Sequence, residues 1–287
     1  METFELRYFL GVAEFENIHK AAQKLAVSPA SLSKAVARLE EELAVSLFIR
    51  QGRGIRLSAE GQLLQLRASQ IIGLEEATKL ELSGGLGAVQ VKICGTEILL
   101  SQLGLNVSEE VQREVPKATF VFIKTETDSG ALSLVQKGEA HFALCTSEVG
   151  GGPELMSKVL LEDTIATYVG RTHPLYSKKG SLSVREVLEH AFVSPAGALL
   201  GKVGQNQSAD GWRDDKFPRT LAYTVSSLKT LEEILVSGKA VACLPRYFAK
   251  KLPVRALRIS DCPYTCRQKV RLVSRNEKDI GWIRRIF

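Results

Sequence analysis

The 287-residue sequence predicts an α/β protein in three parts: an all-α N-terminal unit closed by a small hairpin, a long connecting helix, and a larger region of alternating strands and helices. Three observations carry this prediction. Apolar residues recur at helical spacing through residues 6–43, and a proline-free stretch with a large apolar side runs from Ala59 to about Ser83. The remaining 200 or so residues alternate β-rich and helical runs, a pattern that argues for parallel sheets.

In the first unit Leu6, Phe9, Leu10 and Ala13 repeat at i, i+3, i+4 and i+7, a helix able to cover the apolar backs of two others. Asn17 can cap a second helix, whose Ala21, Ala22 and Leu25 form a small apolar underside. Ser28 is an N-cap candidate for a third helix, and Pro29 takes its first position, where a missing N–H costs nothing. Leu32, Val36, Leu39 and Leu43 then form one core-facing stripe.

The outer side of that third helix carries Ala30, Ser31, Ser33 and Lys34, with Arg38 one turn later. Short donors and a flexible cation near a helix start suit a major groove, so residues 17–43 have the layout of a DNA-reading helix-turn-helix. Taken alone, two amphipathic helices with polar outer faces also fit a protein that never touches nucleic acid. Downstream, Leu47 and Phe48 anchor a stretch with Arg50, Arg53 and Arg56 around Gly52 and Gly54. Those glycines permit a tight hairpin whose arginines face a phosphate backbone, which completes a winged helix-turn-helix.

Charge is local, not global. Residues 1–88 carry 10 Lys/Arg and 11 Asp/Glu, yet residues 20–56 hold seven Lys/Arg against only Glu40, Glu41 and Glu42. Affinity for DNA depends on the phosphates neutralised, so a local patch suffices. Residues 246–287 hold 12 Lys/Arg and three acids, read here as solvated faces of strands and loops.

The long helix carries Leu63, Leu64, Leu66, Ile71, Ile72, Leu74, Ala77 and Leu80. That is too much apolar surface for a lone exposed helix, and burial against a copy of itself is the economical solution, with Leu63, Leu64, Ile71 and Leu74 as contacts. Ser83-Gly84-Gly85-Leu86-Gly87 breaks the helix and marks a boundary. Beyond it, strands are expected at 89–94, 118–124, 140–145, 159–169, 222–225 and 240–244, and helices at 99–115, 129–137, 183–191 and 228–236.

The residues of the N-terminal unit resemble the LysR-type bacterial transcription regulators. The resemblance runs through Leu6, Phe9, Val12, Ala13, Ala21, Ala22, Leu25, Val27, Ser28, Leu32, Ser33, Lys34, Leu39, Glu40, Leu43, Leu47, Phe48, Arg50, Arg53, Leu57 and Gly61 in the family's spacing. It implies a DNA-binding surface of Ser28, Pro29, Ala30, Ser31, Ser33, Lys34, Arg38, Arg50, Arg53 and Arg56, and an antiparallel dimer through the linker helix. It further implies an effector region of two subdomains like a periplasmic solute-binding protein. The expected division is 1–58 winged helix-turn-helix, 59–87 linker helix and hinge, and 88–287 effector domain. Subdomain I takes about 88–160 and 266–287, and subdomain II about 161–265. Leu134, Gly138, His173-Pro174-Leu175, Gly238 and Leu244-Pro245 fit this looser part of the pattern.

A small effector in the cleft between the subdomains would meet Thr96, Glu97, Thr146, Ser147, Pro195, Ala196, Gly197, Thr224 and Ser226. Hydroxyls and free N–H groups at strand ends and helix starts suit a small anion, although such residues are often plain caps and Glu97 would oppose one.

Departures from the family pattern are informative. Ser28-Pro29-Ala30 stands where Ser-Gln-Pro is common, Ala44 where glycine is usual, Glu16-Asn17-Ile18 in place of Gly-Ser-Phe, and His141 where aspartate is common. The chain also stops at Gly281–Phe287 without the closing helix expected of the family, which leaves Trp282 or Phe287 exposed for an oligomer contact.

Other chemistries find little support. The four histidines are not at metal-ligand spacing, so no metal and no cofactor are expected. No nucleophile elbow, carboxylate pair or phosphate loop is visible, and Gly150-Gly151-Gly152 lacks the lysine and strand-to-helix context of the last. Cys94, Cys145 and Cys243 read as buried small hydrophobes, while Cys262 and Cys266 flank an expected loop in which a redox role is conceivable. The start Met1-Glu2-Thr3, without a secretory leader, points to the cytoplasm and away from a membrane. The expectation is a non-enzymatic regulator binding double-stranded promoter DNA as a homodimer or homotetramer, tuned by a small-molecule effector. A solute-binding or enzymatic module that keeps its helix-turn-helix for oligomerisation is the rival.

Overall fold

A computed structural model describes residues 1–52, 54–82, 89–148, 155–197, 208–276 and 281–287. Arg53, the glycines at 84–87 and 150–152, and the side chains of Ala77 and Leu80 lie outside the described residues.

Three helices open the chain: α1 (Thr3–Phe15), α2 (Ile18–Leu25) and α3 (Pro29–Leu43). Local chemistry sets their starts. Glu2 and Glu5 form a reciprocal capping box on α1, the Asn17 side chain accepts from Lys20 N on α2, and the Ser28 hydroxyl accepts from Ser31 N on α3. Leu6, Phe9, Ala13, Leu32 and Leu39 are buried at 5% exposure or less, as their spacing predicts. The stripe on α3 ends there, because Leu43 in its last turn remains 38% exposed.

Chain turns at Glu16, Ala26 and Ala44 use left-handed backbone, with φ of 44°, 54° and 55°. Two of these, Glu16 and Ala44, are the positions where the sequence departs from glycine. The hairpin pairs β1 (Phe48–Gln51) with β2 (Gly54–Leu57), and Gly52 at φ +59° makes its turn. Helix α4 (Ala59–Leu82) follows; the Ser58 hydroxyl accepts from Gly61 N and donates to Ser46 O, which ties its first turn to the segment between α3 and β1.

The larger region contains β3 (Gln90–Gly95), α5 (Glu97–Glu114), β4 (Thr119–Lys124), α6 (Asp128–Gln136), β5 (Phe142–Cys145) and β6 (Leu155–Gly170). It continues with α7 (Val184–Leu188), β7 (Phe192–Pro195), β8 (Leu221–Val225), α8 (Leu228–Val236), β9 (Ala242–Pro245), α9 (Arg246–Ala249), β10 (Val254–Ala256), β11 (Cys266–Arg275) and α10 (Gly281–Ile286). One sheet runs in the order β10-β6-β11-β5-β3-β4, with β9 also paired to β6. Strands β3, β4 and β5 are parallel neighbours, and β7 pairs β8 in parallel.

Two long antiparallel strands join the halves. β6 and β11 pair from Ile165↔Cys266 to Leu155↔Arg275. At its far end β6 pairs with β9 and β10. The chain therefore crosses twice between a first subdomain around β3–β5 and a second around β7–β9.

Three expectations need correction. No strand is expected at 192–195, yet Phe192–Pro195 forms a buried strand beside β8, so Pro195 is a strand end and not a loop residue. Cys266 is the buried first residue of β11 and does not lie in a loop. The C-terminus does close with a short helix: Trp282, Ile283 and Ile286 are buried, and Trp282 packs edge-on against Phe142 at 6.0 Å. Apolar residues at i, i+1 and i+4 give that last turn one face to bury, so Trp282 is core, not an exposed contact.

Candidate nucleic-acid interface and effector cleft

The start of α3 presents the expected polar edge. Ser28, Pro29, Ala30, Ser31, Ser33, Lys34 and Arg38 are exposed, while Leu32, Ala35, Val36 and Leu39 point inward. Not all of that edge is available for contacts. The Ser31 and Ser28 hydroxyls lie 2.8 Å apart, bonded to each other at the cap. Arg38 Nε lies 3.1 Å from Glu5 Oε1, whose side chain is 1% exposed, so this arginine also neutralises a buried carboxylate. Among the described residues, Ala30, Ser33 and Lys34 carry no such ties.

The wing is held from below. Glu40 Oε1 accepts from Leu47 N at 2.7 Å and Phe48 N at 3.3 Å, and Glu16 Oε1 accepts from Leu57 N at 3.2 Å. Arg50 pairs with Ile55 and Arg56 with Ile49 across the hairpin. Paired residues share a face and neighbours alternate, so Arg50 and Arg56 emerge on opposite faces of the ribbon. Arg56 also lies 3.8 Å from Glu16. Arg53, at the expected tip, is outside the described residues.

Helix α4 offers two faces. Gln65, Ala68, Ser69 and Ile72 are buried against the rest of this chain, whereas Leu63, Ile71 and Leu74 are 59%, 37% and 44% exposed. Leu64 differs from its expected partners, since it packs on the N-terminal core with Leu6 and Phe9.

Cleft candidates gather at the carboxyl ends of parallel strands, where open α/β sheets bind ligands. Thr96 follows β3 and is 2% exposed, and Glu97 opens α5 at 3.7 Å from Lys124 Nζ. Pro195 ends β7 in a buried position, while Ala196, Gly197, Thr224 and Ser226 are exposed. The Ala196 N–H donates to Val225 O at 2.8 Å.

At the end of β5 the expected anion-binding donors are already used. Asp128 Oδ2 accepts from Thr146 N (2.8 Å), Thr146 Oγ1 (2.9 Å), Ser147 N (2.7 Å) and Ser147 Oγ (2.8 Å). Sequence reasoning missed Asp128. It is the first residue of α6, and its partners lie 18 and 19 residues away, so no local pattern marks it.

The remaining special residues are structural. Burial pushes the Cys94 and Cys145 thiols up to about 12 and raises Cys243 further, so none favours a reactive thiolate. His141 Nδ1 accepts from Lys92 N, and His173 Nδ1 from Leu175 N. Part of the C-terminal positive charge is paired within the chain: Lys269 lies 2.8 Å from Glu162, Arg271 3.8 Å from Glu148, and Arg285 pairs with Glu114. No helix among the described residues is long and apolar enough to cross a membrane.

Comparison with known proteins converges on the same reading. Residues 4–62 match the family described as bacterial regulatory helix-turn-helix protein, lysR family, and residues 88–280 match the LysR substrate binding domain. The HTH-type regulator YybE of Bacillus subtilis (strain 168) is 29% identical over 201 residues, 67% of this chain and 66% of its own length. The transcriptional dual regulator GltC of the same organism is 27% identical over 257 residues, covering 88% of this chain and 84% of GltC. A full-length OxyR variant from Pseudomonas aeruginosa has a similar fold, with a TM-score of 0.70, 19% identity and coverage of 100% of this chain and 93% of that one. A helix-turn-helix, a long linker helix and a two-subdomain α/β region joined by crossing strands thus meet in one chain, which belongs to the LysR family of DNA-binding transcriptional regulators.

Proposed function

We propose that this protein binds promoter DNA as a dimer or a tetramer built from dimers, and changes its grip when a small molecule enters the cleft between its subdomains. Residues 1–58 read DNA, 59–87 link and pair the subunits, and 88–287 sense the effector. The exposed face of Ala30, Ser33 and Lys34 at the start of a helix whose opposite side is buried is the observation that carries the reading. Leu63, Ile71 and Leu74 form an apolar stripe that a second copy of α4 would cover. Two reading helices in successive major grooves multiply a modest half-site affinity. Rotation of the subdomains about the paired β6 and β11 would alter the spacing between DNA-binding units. Such a partner places the protein with the chromosome, in the cytoplasm.

Mobility-shift titrations across salt concentration test this. Wild type should bind a near-palindromic site with strong salt dependence. Lys34→Ala should weaken binding and shallow the log–log salt slope by about 1, the loss of one phosphate contact. Binding unchanged by Lys34→Ala in a folded protein would show that another surface meets the duplex.

A further inference from the structure

Asp128 carries an inference about the ligand that rests on the cleft being the effector site. Its side chain is buried at 5% exposure and forms no ion pair among the described residues. Four donors from Thr146 and Ser147 converge on Oδ2, while Oδ1 is buried and accepts nothing. The four donors offset much of the cost of burying this carboxylate, but they all serve Oδ2, and a buried acceptor left without a donor still carries a desolvation penalty.

The neighbourhood repeats the pattern. Thr125 donates its N–H to Gly95 O, which sets the ends of β4 and β3 side by side, and Thr146 continues the row at the end of β5. Among the described residues, Thr96 Oγ1 and Thr125 Oγ1 are buried without hydrogen-bond partners, although Thr96 stands at the N-cap position of α5, where its hydroxyl would normally accept from the first turn. From the second subdomain, the Tyr247 hydroxyl is buried and equally unpartnered; burial, with Asp163 and Asp128 nearby, raises its pKa. Tyr247 N donates to Asp163 Oδ2 on the crossing strand β6 at 2.8 Å, which anchors that side. The cations of this end of the sheet have other carboxylates: Lys124, which ends β4, is shared between Glu97 at 3.7 Å and Glu126 at 3.5 Å, and Arg271, opposite Cys145, lies 3.8 Å from Glu148.

We propose that the effector carries a protonated amine, which seats between Asp128 Oδ1, Thr96 Oγ1 and the Tyr247 hydroxyl and joins the two subdomains. An ammonium supplies three donors and the missing positive charge. A carboxylate ligand would instead find the Thr146 and Ser147 donors occupied by the protein's own carboxylate and would meet like charge.

Matched probes of opposite charge test the class on the full-length protein. Calorimetric titration with butane-1,4-diamine and benzylamine is compared with butanedioate and benzoate at one pH. The amines should bind and the carboxylates should not. Asp128→Asn keeps the acceptor oxygen for Thr146 and Ser147 but removes the charge, and should weaken amine binding by at least about tenfold. Thr96→Val is the independent variant and should weaken it by about three- to tenfold. Carboxylates binding wild type with an affinity that falls on Thr96→Val would overturn the amine class while leaving the cleft as the effector site. Amine binding indifferent to both substitutions would overturn both the class and this location. Binding by neither set overturns the proposal as well.

Discussion

The guanidinium of Arg38 on the reading helix lies 3.1 Å from the carboxylate of Glu5 on α1, a side chain with 1% exposure. Glu5 also accepts from Glu2 N at 2.9 Å, so one carboxylate caps α1 and holds α3 in place. Removal of the cation strands a buried charge. Arg38→Ala should therefore lower unfolding free energy by about 1–3 kcal/mol in urea titration. The double variant Glu5→Gln/Arg38→Ala should recover part of that loss. If Arg38→Ala leaves stability untouched but abolishes DNA binding, the arginine belongs to the duplex and not to the fold.

At Ala44 the left-handed turn after α3 is made with a φ of 55° by an exposed residue that has a Cβ. Left-handed backbone costs an L-residue roughly 1–2 kcal/mol, part of which glycine returns as unfolded-chain entropy. Ala44→Gly should raise stability by about 0.5–1 kcal/mol, read from the denaturation midpoint. Glu16 is a poorer site for the same change, despite a φ of 44°, because its carboxylate holds Leu57 N of the wing. A midpoint that falls for Ala44→Gly would contradict the strain argument.

The linker helix meets the effector region at Gly138. Ser69 Oγ donates to Lys137 O at 2.9 Å, and a Cβ on Gly138 would fall 2.2 Å from Ser69 Cβ at a backbone φ of +76°. Gly138→Ala should cost about 2–4 kcal/mol from strain and overlap together, whereas Ser69→Ala should cost only about 1 kcal/mol for a lost hydrogen bond. Thermal melting of the two variants side by side gives the comparison. Equal shifts would mean that the close approach is not maintained in solution.

Burial, with His190 alongside, lowers His173 to about 4, and burial with Arg275 and Lys92 lowers His141 to about 4. Both are neutral in the fold, and an unfolded histidine titrates near 6.5. Between these values the unfolded chain holds more protons, so stability is full above about 6.5 and declines as the pH falls toward 4. A loss of about 1–2 kcal/mol per histidine is expected at pH 5. Denaturant titrations at pH 7 and pH 5 should show it, and His173→Asn should reduce the difference. A flat profile from pH 7 to pH 5 would mean that these rings are already hydrated.

Local chemistry made the N-terminal unit legible. Asn17 and Ser28 cap helices through atoms three residues away, and Leu6, Phe9, Leu32 and Leu39 face inward because their spacing gives them one side. The same holds for the strands and helices between Gln90 and Cys145, whose expected bounds fall within two residues of the observed ones. The position of Lys34 on the open side of α3 follows from that periodicity alone.

What the sequence could not supply were relationships between distant residues. Pairing of β6 with β11 joins residues about a hundred positions apart, and neither strand's own pattern names its partner. Burial of Trp282 against Phe142 needed the core to exist before an isolated last turn had anywhere to pack. Asp128 goes unremarked because its partners, Thr146 and Ser147, come to it only when the fold brings the start of α6 to the end of β5. Caps and amphipathic faces depend on neighbours within a turn or two, so residue order determines them. Strand partners and the charge balance of a cleft arise only when remote segments leave water together, and tertiary packing alone decides those.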